Sequence, residues 1–151
     1  KKKKLENQIK FMQKNKLEFS FTSYDIIDEK GKFLKKRNIV KRLNFKKLLK
    51  HCYIGLSTVI LSKKLITKSC CFPNLKTKED FTLWLKLAKK RVIMEGLNQS
   101  LCAWRKSNNS LSSSNYQKIK DGYFVYRYEM KYGIIKSFYY LLLLSINSIL
   151  K

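Results

Sequence analysis

Apolar residues change their spacing several times along this chain, and each change marks an element. Leu5, Ile9 and Met12 recur four and three apart, one face of a short helix that Asn15 can close. From Leu17 the period drops to two. Leu17, Phe19 and Phe21 alternate with Glu18, Ser20 and Thr22, which predicts a half-buried strand running toward Ile27. Asp28-Glu29-Lys30-Gly31 reads as a turn with Gly31 in the left-handed position, and residues 32–41 read as a basic extended segment. Asn44 can cap a helix whose apolar face is Phe45, Leu48, Leu49 and Cys52. The β-branched run from Ile54 to Leu61 predicts a strand. A loop over 69–78, with the chain's only proline at Pro73, leads to a helix near Glu79 that turns Phe81, Trp84, Leu85 and Ala88 inward.

Residues 92–94 and 100–105 predict two further strands, and 107–114 form a polar Ser/Asn-rich loop. Helical spacing runs from Tyr116 to Tyr132 and again from Ile134 onward, with Gly133 as the break. Strands thus alternate with helices, without an internal repeat or a long linker. The fold class is α/β, one mixed module finished by helices. At 151 residues with 44% hydrophobic positions, the chain can bury roughly two-thirds of its unfolded surface.

Charge narrows the partners. Thirty-four Lys and Arg stand against ten Asp and Glu, a net +24 that favours phosphates, nucleic acid or anionic lipid. The cations are mostly Lys, spread along the chain, and Arg, the residue of bidentate phosphate and guanine recognition, is scarce. The richness in Lys, Asn, Ile, Phe, Tyr and Ser matches an AT-rich coding sequence, so part of this charge reflects codon bias. Tyr116, Tyr123, Tyr126, Tyr128 and Tyr132 are interleaved with Lys118, Lys120, Arg127 and Lys131. That pattern fits stacking on a single strand, a helix at a membrane interface, or plain helix packing with snorkelling lysines, and packing is preferred.

Cys52, Cys70, Cys71 and Cys102 form no Cys-x-x-Cys pair and His51 is the single histidine, so the composition argues against a zinc site and for reduced thiols. No apolar core follows Lys1–Lys4 as in a signal peptide. Residues 138–150 are too short for a membrane span, though a helix lying on a membrane surface remains open. The chain starts at Lys1 rather than Met, as expected of a processed protein or a piece of a longer one.

The chemistry concentrates in Glu79-Asp80-Phe81-Thr82-Leu83-Trp84-Leu85, where two carboxylates stand at the start of a helix. A carboxylate at a loop-to-helix junction can face a cleft and take a proton from a hydroxyl, and the helix N-terminus favours its ionised form. By spacing alone, Thr77-x-x-Asp80 reads as a capping box.

The surrounding sequence points elsewhere. The segment Glu79-Asp80 with Leu83-Trp84-Leu85 resembles the E-D-x-x-L-W-L motif of family 2 glycosyltransferases of the GT-A type. Lys4-Leu5-Glu6-x-Gln8-Ile9 is similar to that family's helix after its metal-binding Asp-x-Asp. Thr22-Ser23-Tyr24 and Ile27-Asp28-x-x-Gly31 are similar to the next strand and turn. Ile54-Gly55-x-Ser57-Thr58-Val59 resembles the acceptor-lining segment, and Arg105 with Ser110-x-Ser112 resembles the stretch after the last strand. These pieces keep the family's order up to about residue 115.

The resemblance implies a partial GT-A domain with a Rossmann-like mixed sheet over 1–115 and a C-terminal helical extension over 116–151. It implies an inverting glycosyltransferase of surface polysaccharide or lipooligosaccharide assembly, with Asp80 as general base. Glu79, Ser57, Thr58 and Trp84 would serve in acceptor binding, and Arg105 could reach a donor phosphate or be an ordinary strand-end charge. The expected partners are a nucleotide-sugar and a glycan or lipid-linked acceptor, at the cytoplasmic face of an anionic membrane rather than on nucleic acid. The family's nucleotide-binding half and its Asp-x-Asp are not in this sequence. No metal site or cofactor is therefore expected in the segment, Mg²⁺ or Mn²⁺ is expected in the full-length enzyme, and the isolated segment is expected to be inactive. The charge keeps a basic nucleic-acid-binding or membrane-surface module as the alternative.

Overall fold

A computed structural model describes residues 1–107 and 114–150. Helix α1 (Lys4–Lys14) leads into strand β1 (Phe19–Ile27), then β2 (Phe33–Arg37), β3 (Arg42–Leu43) and the one-turn helix α2 (Phe45–Leu48). The chain continues through β4 (Ile60–Leu61), α3 (Glu79–Lys89), β5 (Met94–Arg105), α4 (Asn115–Phe124) and α5 (Ile134–Ile149). The sheet order is β2-β1-β5-β3, and β4 also pairs with β1. β1 runs parallel to β5, and the other pairings are antiparallel. The mixed sheet and C-terminal helices are the α/β architecture that the alternating pattern predicts.

β1 is buried on both faces rather than one, from Phe19 to Ser23. Phe19 meets α3, where Trp84 stands edge-on to it at 5.0 Å between ring centroids, and Phe21 packs beside Phe19. The polar face is covered by α1. There the sequence expectation inverts: Gln8 is the fully buried residue, while Leu5 is 63% exposed and Ile9 44%. The cause is polar docking, since Gln8 Nε2 donates to Ser20 Oγ and to the Thr58 carbonyl, both at 3.0 Å.

Two strand expectations also change. Residues 54–61 yield a 3₁₀ turn at Leu56–Thr58 before the short β4. Thr58 gives its N–H and its hydroxyl to the Gly55 carbonyl, at 3.0 and 2.7 Å, so local bonds displace the ladder. The two strands expected within 92–105 are one, β5, whose register against β1 slips between Thr22 and Tyr24. A Cβ on Gly96 would collide with Ile39 Cδ1 and sit 3.0 Å from the Phe21 ring, so any side chain there makes Ile39 move. Asn44 caps α2 as expected, its side chain accepting the Lys47 N–H at 2.9 Å.

α4 passes into a π-helical turn over Val125–Glu129, and Gly133 then starts α5. Val125, Tyr126, Met130, Leu141 and Leu144 share the core with Phe81 and Leu49. Most of the interleaved tyrosines are spent on this packing. Tyr126 is buried and donates to the Leu49 carbonyl at 2.7 Å, Tyr123 lies against Phe138, and Tyr132 lies against Tyr140. At Gly122 a Cβ would stand 2.8 Å from Leu141 Cδ1, so α4 and α5 cross closely. Among the described residues, no helix is long and apolar enough to cross a membrane.

Candidate active site

A cleft of about 910 Å³ opens between β1, β2, the turn at Gly55-Leu56-Ser57 and the start of α3. Glu79, Asp80 and Ser57 all line it, with Tyr24, Arg37 and Trp104. Segments spaced widely in sequence therefore meet here because β1 lies beside both β2 and β5.

The capping box expected at Thr77-x-x-Asp80 does not form. The residue before α3 is Lys78, in the left-handed region at φ +67°, and no side chain caps the helix. Thr77 turns away instead. Its N–H and its hydroxyl both donate to Asp121 Oδ2 at 2.8 Å, and Gln117 Nε2 holds the other carboxylate oxygen at 2.9 Å. Burial opposes the Asp121 charge, yet the bonds from Gln117 and Thr77 outweigh it and hold the carboxyl below its ordinary range. The left-handed Lys78 then swings the first turn of α3 so that Glu79 and Asp80 face the cleft.

Asp80 Oδ1 accepts the N–H of Phe81 at 2.6 Å, and no salt bridge neutralises the side chain among the described residues. Burial pushes its carboxyl up to about 6. The Phe81 N–H works in the opposite direction, and the neighbouring Glu79 charge adds to the rise. The helix N-terminus thus favours ionisation, as the sequence implies, but burial is the larger effect. At pH 7 such a group is about nine-tenths ionised and is a far stronger base than an exposed aspartate. Cys52, on the same wall, is pushed up to about 12 by burial and, secondarily, by the Asp80 charge, so it stays a thiol.

Other expected site residues fall outside the cleft. Thr58 is 1% exposed and sits behind Ser57, held by its bonds to Gly55. Trp84 is also 1% exposed, with its indole against Phe19 and Phe72 in the core. Arg105 is exposed, and its guanidinium donates to the carbonyls of Asp28, at 3.2 Å, and Glu29, tying β5 to the β1–β2 turn. Ser110 and Ser112 lie outside the described residues. The tryptophan that does line the cleft is Trp104, 41% exposed. No local pattern singles it out, because it ends the continuous apolar run Leu101-Cys102-Ala103-Trp104. Asp121 gave no sequence signal, because its partner Thr77 is 44 residues away. Among the described residues no three His, Cys, Asp or Glu side chains gather to hold a metal ion.

No protein-family model matches the chain. Individual proteins do. It is 37% identical over 128 residues to the Bacillus subtilis glycosyltransferase TuaG, named for teichuronic acid biosynthesis, covering 84% of this chain and 50% of that protein. It is 36% identical over 121 residues to the Escherichia coli UDP-Glc:alpha-D-GlcNAc-diphosphoundecaprenol beta-1,3-glucosyltransferase WfgD, covering 78% and 46%. An uncharacterized glycosyltransferase of Haemophilus influenzae is 29% identical over 150 residues, 98% of this chain and 59% of that protein. The chain thus resembles these glycosyltransferases over most of its own length, and it spans about half the length of the relatives it matches.

Proposed function

We propose that this chain supplies the acceptor side of an inverting glycosyltransferase that builds surface polysaccharide or a lipid-linked or lipooligosaccharide glycan. The observation that carries the proposal is Asp80, an ionised, partly buried carboxylate in a cleft, raised to about 6 and in no salt bridge among the described residues. In the transfer, an acceptor hydroxyl approaches Asp80. Its oxygen bonds to the anomeric carbon as its proton passes to the carboxylate. The bond from that carbon to the donor phosphate breaks, and the electron pair leaves with the nucleoside diphosphate. Attack opposite the leaving group inverts the anomeric centre.

Ser57 and Glu79 offer hydrogen bonds to acceptor hydroxyls. Trp104 offers an exposed ring face for a sugar to lie on. Thr58 and Trp84 serve from behind, by fixing the Ser57 turn and α3. The donor phosphate role for Arg105 does not fit its tether to the Asp28–Glu29 turn. WfgD is named for a diphosphoundecaprenol-linked acceptor. A comparable acceptor would place this protein at the cytoplasmic face of a membrane, where its net +24 charge favours anionic lipid.

The test is transfer by an enzyme in which this segment is joined to a nucleotide-binding half. Asp80→Asn lowers kcat by about 10²–10⁴-fold with donor affinity unchanged. The segment alone turns over no nucleotide-sugar.

A further inference from the structure

Between α4 and α5 a second, smaller cavity of about 260 Å³ opens from the active cleft, with Lys78, Lys118 and Ser148 lining both. Ile119 from α4 and Leu141, Leu144 and Ile149 from α5 make most of its wall, beside Asn115 and Ser145. The close crossing at Gly122 and Leu141 keeps the two helices together at its base. Ile149 is 84% exposed and belongs both to this groove and to the outer row of α5. That row continues through Ile146, Leu142 and Ile135, which are 43%, 59% and 87% exposed and recur at three, four and seven positions. Apolar side chains therefore continue from the groove onto the outer face of α5.

The junction is charged in a way that selects its occupant. Lys78 and Lys118 stand where the polar cleft becomes the apolar groove, and neither is in a salt bridge among the described residues. The two carboxylates of the C-terminal helices point elsewhere, Asp121 to Thr77 and Gln117, and Glu129 to Lys86 at 2.7 Å. A ligand that fits has a phosphate at the two lysines and a hydrocarbon tail in the groove.

We infer that the α4–α5 groove binds the hydrocarbon tail of a phosphate-bearing amphiphile whose head group enters the cleft. This rests on the cleft being the acceptor site and specifies the acceptor as lipid-linked. The tail lies between Ile119 and Ile149 and leaves along the outer row of α5. Burying such a chain contributes affinity in proportion to the apolar area removed from water.

Calorimetric titration of the 151-residue chain with farnesyl diphosphate, below its micelle concentration, and with inorganic pyrophosphate separates tail from head group. The expected result is at least about tenfold tighter binding of the isoprenoid compound. The double variant Ile119→Gln/Ile149→Gln removes that advantage and leaves pyrophosphate binding unchanged. Both positions are more than half exposed, so the fold tolerates the change, and circular dichroism checks it. Ser148→Trp, which fills the groove mouth, has the same effect, whereas Lys118→Gln weakens both ligands. Equal affinity for the two ligands overturns the inference, as does an advantage that survives the groove variants. So does adhesion to anionic vesicles without binding of the soluble compound. Asp80→Asn retains amphiphile binding, so loss of the tail site and loss of the catalytic base are separate results.

Discussion

Thr77 gives both its backbone N–H and its hydroxyl to a single oxygen of Asp121, at 2.8 Å each, across 44 residues of sequence. This bond pair joins the loop before α3 to α4. It frees Thr77 from capping α3 and leaves the left-handed Lys78 to set the direction of the helix start. The acidic pair of the cleft is thus aimed by a carboxylate that does not itself line the cleft.

Removing that anchor has a definite cost. Asp121→Ala leaves the Thr77 N–H buried without a partner and destabilises the fold by about 2–4 kcal/mol. Thermal denaturation then shows Tm lower by roughly 5–15 °C. Thr77→Val keeps the backbone bond and costs less than half as much. Equal effects of the two substitutions contradict the bidentate arrangement.

Asp80 and Asp121 respond to pH in opposite senses. The folded-state value for Asp80, about 6, lies above its unfolded value, so the folded state binds more protons between about pH 4 and pH 6. Stability from this group is greatest below pH 4 and is lost as pH rises through 6. Asp121 is depressed, so its contribution is present above the ordinary aspartate range and is lost as pH falls below it. Asp80→Asn should therefore stabilise the chain at pH 7, by about 1–3 kcal/mol, and change little at pH 4. Urea denaturation at the two pH values checks this. A destabilised Asp80→Asn at pH 7 contradicts the burial of an unpaired charge.

The two tryptophans divide structure from binding. Trp84→Ala opens a core cavity and costs about 3–5 kcal/mol, whereas Trp104→Ala changes stability by less than about 0.5 kcal/mol. In the complete enzyme Trp104→Ala raises the KM for acceptor, while Trp84→Phe leaves KM unchanged. A KM effect confined to Trp84 reverses the assignment.

How much of this was legible in the sequence follows from the range of the interactions involved. The alternation of Phe19 and Phe21 located β1, the Glu79–Leu85 segment located the carboxylates, and Gly133 located the break before α5, because each is a local pattern. The Leu5–Ile9 stripe located α1 but not its buried face, since a buried glutamine bonded to Ser20 and Thr58 fixed how the helix docks. The run at 54–61 had strand composition, but bonds within the Gly55–Thr58 turn overrode propensity. Thr77 and Asp80 had capping-box spacing, and a partner on α4 took Thr77 away. Helical spacing already turned Trp84 inward, and only the motif assigned it to the acceptor, whereas Trp104 lies in no motif.

Whether Asp80 is the base is decided by single-turnover transfer in a complete enzyme carrying this segment, comparing wild type with Asp80→Asn at saturating donor over pH 5–8. With Asp80 as base, the wild-type rate falls below an apparent pKa of about 6, and the variant is slower by about 10²-fold or more, flat with pH and normal in donor binding. A variant that retains the wild-type rate, or the same pH limb, shows that the proton goes elsewhere and that Asp80 is not the base.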